Sequence, residues 1–375
     1  MRLSILFSLL LFSLSGISQS YYLFAGTYTN ADSKGIYVYR FNSVTGEIVP
    51  VSTAASDNPS YLAIAPGGSF IYAANESGGA GPGAVSAYSF NKATGQLTFL
   101  DKQSTGGNGT CYISVDSKRK WVMAANYGGG SLAALPVNAD GSVAPMTEFI
   151  QHSGQGINPQ RQEKPHVHSA IFSPDEHFLL VADLGLDKLS VYNFNPDASP
   201  LPLAPLPSAD SNVNITPGSG PRHTSFFHGK PYVYLISEMA GMVDAFKYSG
   251  GKFTPFQRIS SHPAGYNKVI GSADIHISPN NKFLYVSNRG DANNIAIFAI
   301  DQVSGKLTAK GFQSVLGNTP RNFIIDPTGR WLLVANQRSN NIVIFRIDPK
   351  TGLLKPLKKQ VTIPSPVCLK MYLDK

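Results

Sequence analysis

A self-similar unit of about fifty residues recurs along nearly the whole chain, and it constrains the fold more than any other feature. Each copy reads as a small or polar start, an apolar strand, a Pro-x-Gly-like turn and a second apolar strand ending in Ala-Asn or an equivalent. A third strand, a Thr-Gly-like turn and a fourth strand follow. Copies of the first half occupy residues 59–76, 109–127, 165–184, 221–239, 272–289 and 320–337, with the second strand closing on Asn75, Asn126, Asp183, Glu238, Asn288 and Asn336. Third strands fall at 35–41, 84–90, 131–137, 188–194, 241–247, 294–300 and 341–347. A second strand at 22–26 lacks a first strand, and a first strand at 366–373 lacks a second, so the two chain ends complete each other. The expected fold is all-β: a seven-bladed β-propeller with four antiparallel strands per blade, the ring closed by the C-terminal strand joining the N-terminal blade. Closure removes the exposed edges of an open stack.

Of the 375 residues, 42% are hydrophobic and only 14% charged, enough for a large core and unlike a disordered or coiled-coil chain. Residues 1–20 stand apart: Arg2, an apolar run from Leu3 to Leu14, then small and polar residues to Ser20, the pattern of a secretory signal peptide. The mature chain, 21–375, is expected to be a single domain, monomeric and periplasmic or secreted. No later segment approaches the roughly twenty apolar residues that span a bilayer, so no membrane insertion is expected. The formal charge of +8 is scattered, much of it in turns such as Lys118-Arg119-Lys120, and no basic stripe with interleaved aromatics marks a nucleic-acid partner. The longest irregular stretch, 196–220, reads as an excursion near one face. Cys111 and Cys368 fall on first strands of blades two apart, which argues against a disulfide.

Antiparallel order places the start of every first strand and the end of every second strand at one mouth of the central channel. His166, His168, Arg222, His223, Asp274, His276, Arg321 and Asn322 come from first strands; Asn126, Tyr127, Asp183, Glu238, Arg289 and Gln337 come from second-strand ends. Charges are thereby concentrated in a chain that has few. Arginine forks suit carboxylate, phosphate or oxygen-rich small molecules. A His or Glu beside them can take a proton from water, and an Arg can stabilise the oxyanion of an attacked ester carbonyl. Opening a lactone requires these parts and no cofactor. Each group also has a plainer role. Asp183, Asn126 and Asn336 suit capping of strand ends, and Arg222 with Glu238 suits a buried ion pair within one blade. The His166-x-His168 pair has the spacing of two metal ligands, but no third ligand is distinctively spaced, so no metal is expected. No Gly-x-Ser-x-Gly elbow is present.

Five motifs, Pro165-His166-Val167-His168, Gly220-Pro221-Arg222-His223, Ile275-His276-Ile277-Ser278-Pro279, Val286-Ser287-Asn288-Arg289-Gly290 and Thr319-Pro320-Arg321-Asn322, closely resemble those of the seven-bladed propeller lactonases. That family includes bacterial propeller-type 6-phosphogluconolactonases and fungal carboxymuconate cyclases. The resemblance implies catalysis by His168 (or His166), Arg222, Glu238 and Arg289, with His166, His223, Asp274, His276, Arg321, Asn322, Asn126 and Gln337 binding substrate. Asp274 stands where the family often has Glu. The implied activity is hydrolysis of a sugar-acid lactone, an anionic or polyhydroxylated small molecule. The leader segment favours an aldonolactone other than the cytoplasmic 6-phosphogluconolactone. A lactonizing cyclase or lyase, and a non-catalytic propeller binding a glycan or protein, are the alternatives, since the fold alone decides nothing.

Overall fold

The computed structural model describes residues 19–29, 32–78, 81–207 and 212–374. The expected leader, 1–20, lies outside these apart from Gln19 and Ser20, and Ser20 opens the first strand.

Seven antiparallel sheets follow one another around the ring. Blade 1 contains Ser20–Thr27, Gly35–Asn42 and Ile48–Ala55, with Pro366–Leu373 from the C-terminus as its innermost strand. The innermost strands of blades 2 to 7 are Pro59–Ile64, Thr110–Val115, Val167–Phe172, Pro221–Phe226, Ser272–Ile277 and Pro320–Ile325. The second strands, such as Trp331–Asn336 and Phe283–Asn288, are buried along their whole length. Neighbouring blades cover both their faces, which is why they read as unbroken apolar runs rather than as alternation. The outer strands are largely exposed, as in Ile48–Ala55 and Leu354–Thr362.

In blade 4 the stretch 196–220 is not a plain excursion. Leu203–Pro205 and Asn212–Asn214 pair with opposite ends of Lys188–Phe194 and supply the outer strand in two pieces. Prolines 196, 200, 202, 205 and 207 withhold ladder donors and hide a strand signal there.

A repeated bond closes the ring. An aromatic on the second strand of one blade reaches a turn or loop carbonyl of the next: Tyr22 to Lys92, Tyr72 to Gly141, Trp121 to Pro196, Tyr234 to Gly305, Tyr285 to Gly352 and Trp331 to Ser43, at 2.7–3.2 Å. Each buries a large ring while satisfying its one polar atom. Between blades 4 and 5 the equivalent contact is apolar, with the Phe178 ring packed on Gly251. Both cysteines are free and buried.

Candidate active site

Two backbone devices, repeated in every blade, build the mouth. The first is a hydrogen bond from the residue after the second strand to the carbonyl just before the innermost strand. Tyr28, Glu76, Tyr127, Leu184, Glu238, Arg289 and Gln337 donate in this way to Ser365, Asn58, Gly109, His166, Gly220, Gly271 and Thr319. These seven residues form the rim. The second device is a β-bulge at the second residue of each innermost strand, where the register shifts by one; in blade 6 the shift spans Ala273 and Asp274. A bulge turns consecutive side chains toward the same side instead of alternating them. The bulged residues are Val367, Ser60, Cys111, His168, Arg222, Ala273 and Arg321, one ring below the rim. Gly220 enters its bulge at φ 66°, where a Cβ would lie 2.9 Å from the Met239 side chain, so glycine is required just before Pro221-Arg222.

Glu238 is the centre of the arrangement. Its Oε2 accepts from Arg222 Nε at 3.0 Å and lies 2.7 Å from Arg289 Nη2, and its Oε1 accepts from Arg161 Nη2 at 2.7 Å. Arg222 is 2% exposed and also donates to the Ala273 carbonyl at 2.5 Å. Arg289 is anchored by donating to the carbonyls of Gly271 and Ser272. Around the ring, Arg321 lies 3.7 Å from Glu76, which accepts from Tyr28 Oη at 2.8 Å. Three guanidinium groups against one carboxylate leave an excess of two positive charges at Glu238.

His168 sits beside them. Its ring meets His223 and Tyr127 edge-on at 5.3 and 5.4 Å, its Nδ1 lies 3.9 Å from Cys111 Sγ, and its Nε2 bonds to no other described residue. His166, by contrast, stacks on Tyr127, and its ring nitrogens face the Tyr127 carbonyl at 3.0 Å and Glu163 at 3.2 Å.

Burial, joined by the positive charge of Arg222, holds His168 well below the usual imidazole range, so the ring is neutral. Burial by itself favours the protonated form of Glu238, but Arg289 and Arg222 outweigh it and hold the carboxyl well below its ordinary range. Burial and then the neighbouring Arg289 lower Arg222 to about 10, which still leaves it charged at neutral pH. One level down the channel, His223 Nδ1 lies 2.8 Å from Asp274 Oδ1, while Asp274 Oδ2 takes His276 at 2.9 Å and the amide of Asn322. Burial opposes the charge on Asp274, and the two histidines more than offset it. Burial and Arg222 lower His223 to about 4.

His168, Arg222, Glu238 and Arg289 therefore meet at one place, with His166 and Arg321 at the same mouth. Other expectations shift. The residue closing the second strand of blade 5 is Ser237, paired with Pro221; Glu238 lies one position further, on the rim, and so is free to hold arginines. His223, Asp274 and Asn322 line the next ring down, and His276, two residues further along its strand, faces the opposite end of the channel. Asn126 is fully buried and bonds to Thr110 and Ser131 of its own blade and to the Thr105 carbonyl of the preceding blade, which suits a strand-end cap. Asp183 caps likewise, accepting from the amides of His166, Gly185 and Leu186. Gln337 keeps the rim backbone position, but its side chain lines a surface groove with Arg338 and Asn340. His168 falls on the bulge, and His166, just before the strand begins, packs with it against Tyr127. Among the described residues no three His, Cys, Asp or Glu side chains are grouped to hold a metal ion. Arg161 was not foreseen. It lies on the connection from blade 3 to blade 4, outside the repeat, although every fourth-to-first connection emerges at this mouth.

Residues 22–371 match the model of the family described as Lactonase, 7-bladed beta-propeller. The chain is 35% identical to a 6-phosphogluconolactonase of Bacillus subtilis, over 92% of this chain and 97% of that one. It is 37% identical to a 6-phosphogluconolactonase of Formosa agariphila, over 93% and 99%. The solved structure of a periplasmic gluconolactonase of Pseudomonas aeruginosa superposes with a TM-score of 0.89 at 37% identity, covering 94% of this chain and 99% of that one. These matches run over nearly the full length, and the chain belongs to the seven-bladed β-propeller lactonase family.

Proposed function

We propose that the protein hydrolyses the lactone of a sugar acid at this mouth, as an exported monomer that needs no cofactor. The observation that carries the reading is Glu238 held by three arginines beside a neutral His168. His168 Nε2 takes a proton from water as the water oxygen bonds to the lactone carbonyl carbon. The negative charge that develops on the carbonyl oxygen is met by Arg222 and Arg289, already oriented by Glu238, so no reorganisation is required as the charge appears. The ring C–O bond then breaks, the leaving alkoxide recovers a proton from His168, and a hydroxy acid departs as its carboxylate. His166, with both nitrogens facing acceptors, suits a positioning role. Glu238, strongly favoured as an anion between its arginines, suits holding them rather than accepting a proton.

The leader-like segment 1–20 and the likeness to a periplasmic gluconolactonase support a free aldonolactone outside the cytoplasm. The relatives named 6-phosphogluconolactonase, together with the excess positive charge, favour a phosphorylated lactone as the second reading. Both are tested by following acid release from gluconolactone and its 6-phosphate with purified mature protein, corrected for spontaneous opening. Turnover of the free lactone is expected to exceed that of the phosphate; no acceleration of either by folded protein would overturn the reading. N-terminal sequencing of protein recovered from a periplasmic extract tests export, and sedimentation tests the monomer.

A further inference from the structure

The channel contains a second cavity, separate from the mouth. Tyr61 stacks on Tyr112 with ring centroids 4.1 Å apart, and His223 meets both edge-on at 6.0 and 5.3 Å, forming a plug across the axis. Directly above the plug is a cavity of about 10 Å³ among Ser60, Cys111, Arg222 and Arg321, roughly the size of one water. Below it a cavity of about 370 Å³ extends past His276 and Lys370 to Phe172 and Pro174, at the ends of the innermost strands and hence toward the opposite face. That volume is within the range of small-molecule sites.

Its polar groups are unevenly satisfied. Asp274 is fully engaged by His223, His276, Asn322 and the amide of Ile275. Lys370 Nζ is different. It donates to Tyr61 Oη at 3.1 Å and lies over that ring at 4.3 Å, but it pairs with no carboxylate among the described residues. Ser225, half-buried, puts a hydroxyl on the wall of the same cavity, and His276 adds a ring that is about one-third exposed.

We infer that this lower cavity is a binding site for a small polyhydroxy carboxylate, its carboxylate on Lys370 and its hydroxyls on Ser225 and His276. Choosing a hydroxy acid rests on the lactonase reading, whose product is such an anion; the cavity and its unpaired cation stand without it. Titration calorimetry with gluconate needs no turnover and so tests the site apart from catalysis. Wild type is expected to show two binding events, of which Arg222→Met removes the one at the mouth and Lys370→Met the other. Ser225→Ala is expected to weaken the second event by about tenfold, the size of one hydrogen bond to a ligand. Lactone turnover by Lys370→Met should match wild type. A single event that Arg222→Met abolishes and neither lower substitution alters would overturn the site. Equal affinity for acetate would overturn the ligand class. If Lys370→Met melts early, Ser225→Ala decides alone.

Discussion

Glu238→Gln keeps the shape of the side chain and removes the charge that three guanidiniums share. Arg222 and Arg289 are buried or nearly so and cannot turn to water, whereas Arg161, with 44% of its side chain exposed, can. The contact to Arg161 is therefore worth at most about 1 kcal/mol. The pair with Arg222 is of the buried kind, in which loss of one partner costs about 3–5 kcal/mol because the other charge is left uncompensated. For a folded chain of roughly 350 residues the unfolding entropy is about 0.7 kcal/mol/K, so that cost lowers Tm by about 4–7 °C. Calorimetry should show this drop with a single transition. Turnover measured well below the new Tm should fall by about 10²–10³-fold, because Arg222 and Arg289 lose the anchor that orients them toward the developing oxyanion. An unchanged Tm would refute the uncompensated-charge argument. A lowered Tm with near-normal turnover would show that Glu238 supports the blade and not the chemistry.

His168→Gln should lower kcat by about 10²–10⁴-fold without loss of Tm, as expected for removal of a general base. Wild-type kcat/KM should fall with acid only below about pH 6.5, since burial and Arg222 keep His168 unprotonated above it; an acid limb centred above 7 would contradict the assignment. Arg161→Gln should raise KM for a lactone more than it alters kcat, leave Tm nearly unchanged and reduce the salt sensitivity of KM; a loss confined to kcat would count against a binding role. Stability should decline on acidification: His223 titrates near 4 when folded and about 6.5 when unfolded, so across that window the unfolded chain binds more protons and about 3 kcal/mol is lost by its lower end. Protonation of Glu238 and Asp274, both held below their ordinary ranges, continues the loss at lower pH. Melting curves between pH 7.5 and 4.5 check this, and a flat Tm over that range would refute it.

The period of the repeat is a direct signature of the propeller, because each blade must bury its second strand between two neighbours and so needs the same apolar run every time. That is why the third strands observed, such as Lys188–Phe194 and Asn341–Ile347, coincide with the repeat register. The signal weakens where prolines replace pattern, as in 196–220, and where a residue lies between repeats, as Arg161 does. It also slips by one at Ser237-Glu238, where a serine stands in place of the usual Asn and the glutamate after it mimics the missing polar end.

The site was legible as a collection of residues but not as a geometry, and the bulges explain the difference. A regular strand sends neighbours to opposite faces, so Arg222 and His223 in sequence imply one side chain in the channel and one between blades. The bulge at Arg222 brings both inward, with Arg222 Nη1 3.3 Å from a His223 ring nitrogen. The same shift brings His168 and Arg321 to the level of Arg222 from blades 4 and 7. Blade 6 carries Ala273 at that level, and this small residue is what admits the Arg222 guanidinium to the Ala273 carbonyl. Arginine there would add a further cation to Arg222, which already has Arg289 and Arg321 as neighbours. Two features thus decide the chemistry of this mouth: a bulge at the same position in every blade, and the choice of cation, histidine or small side chain at each of the seven positions it presents.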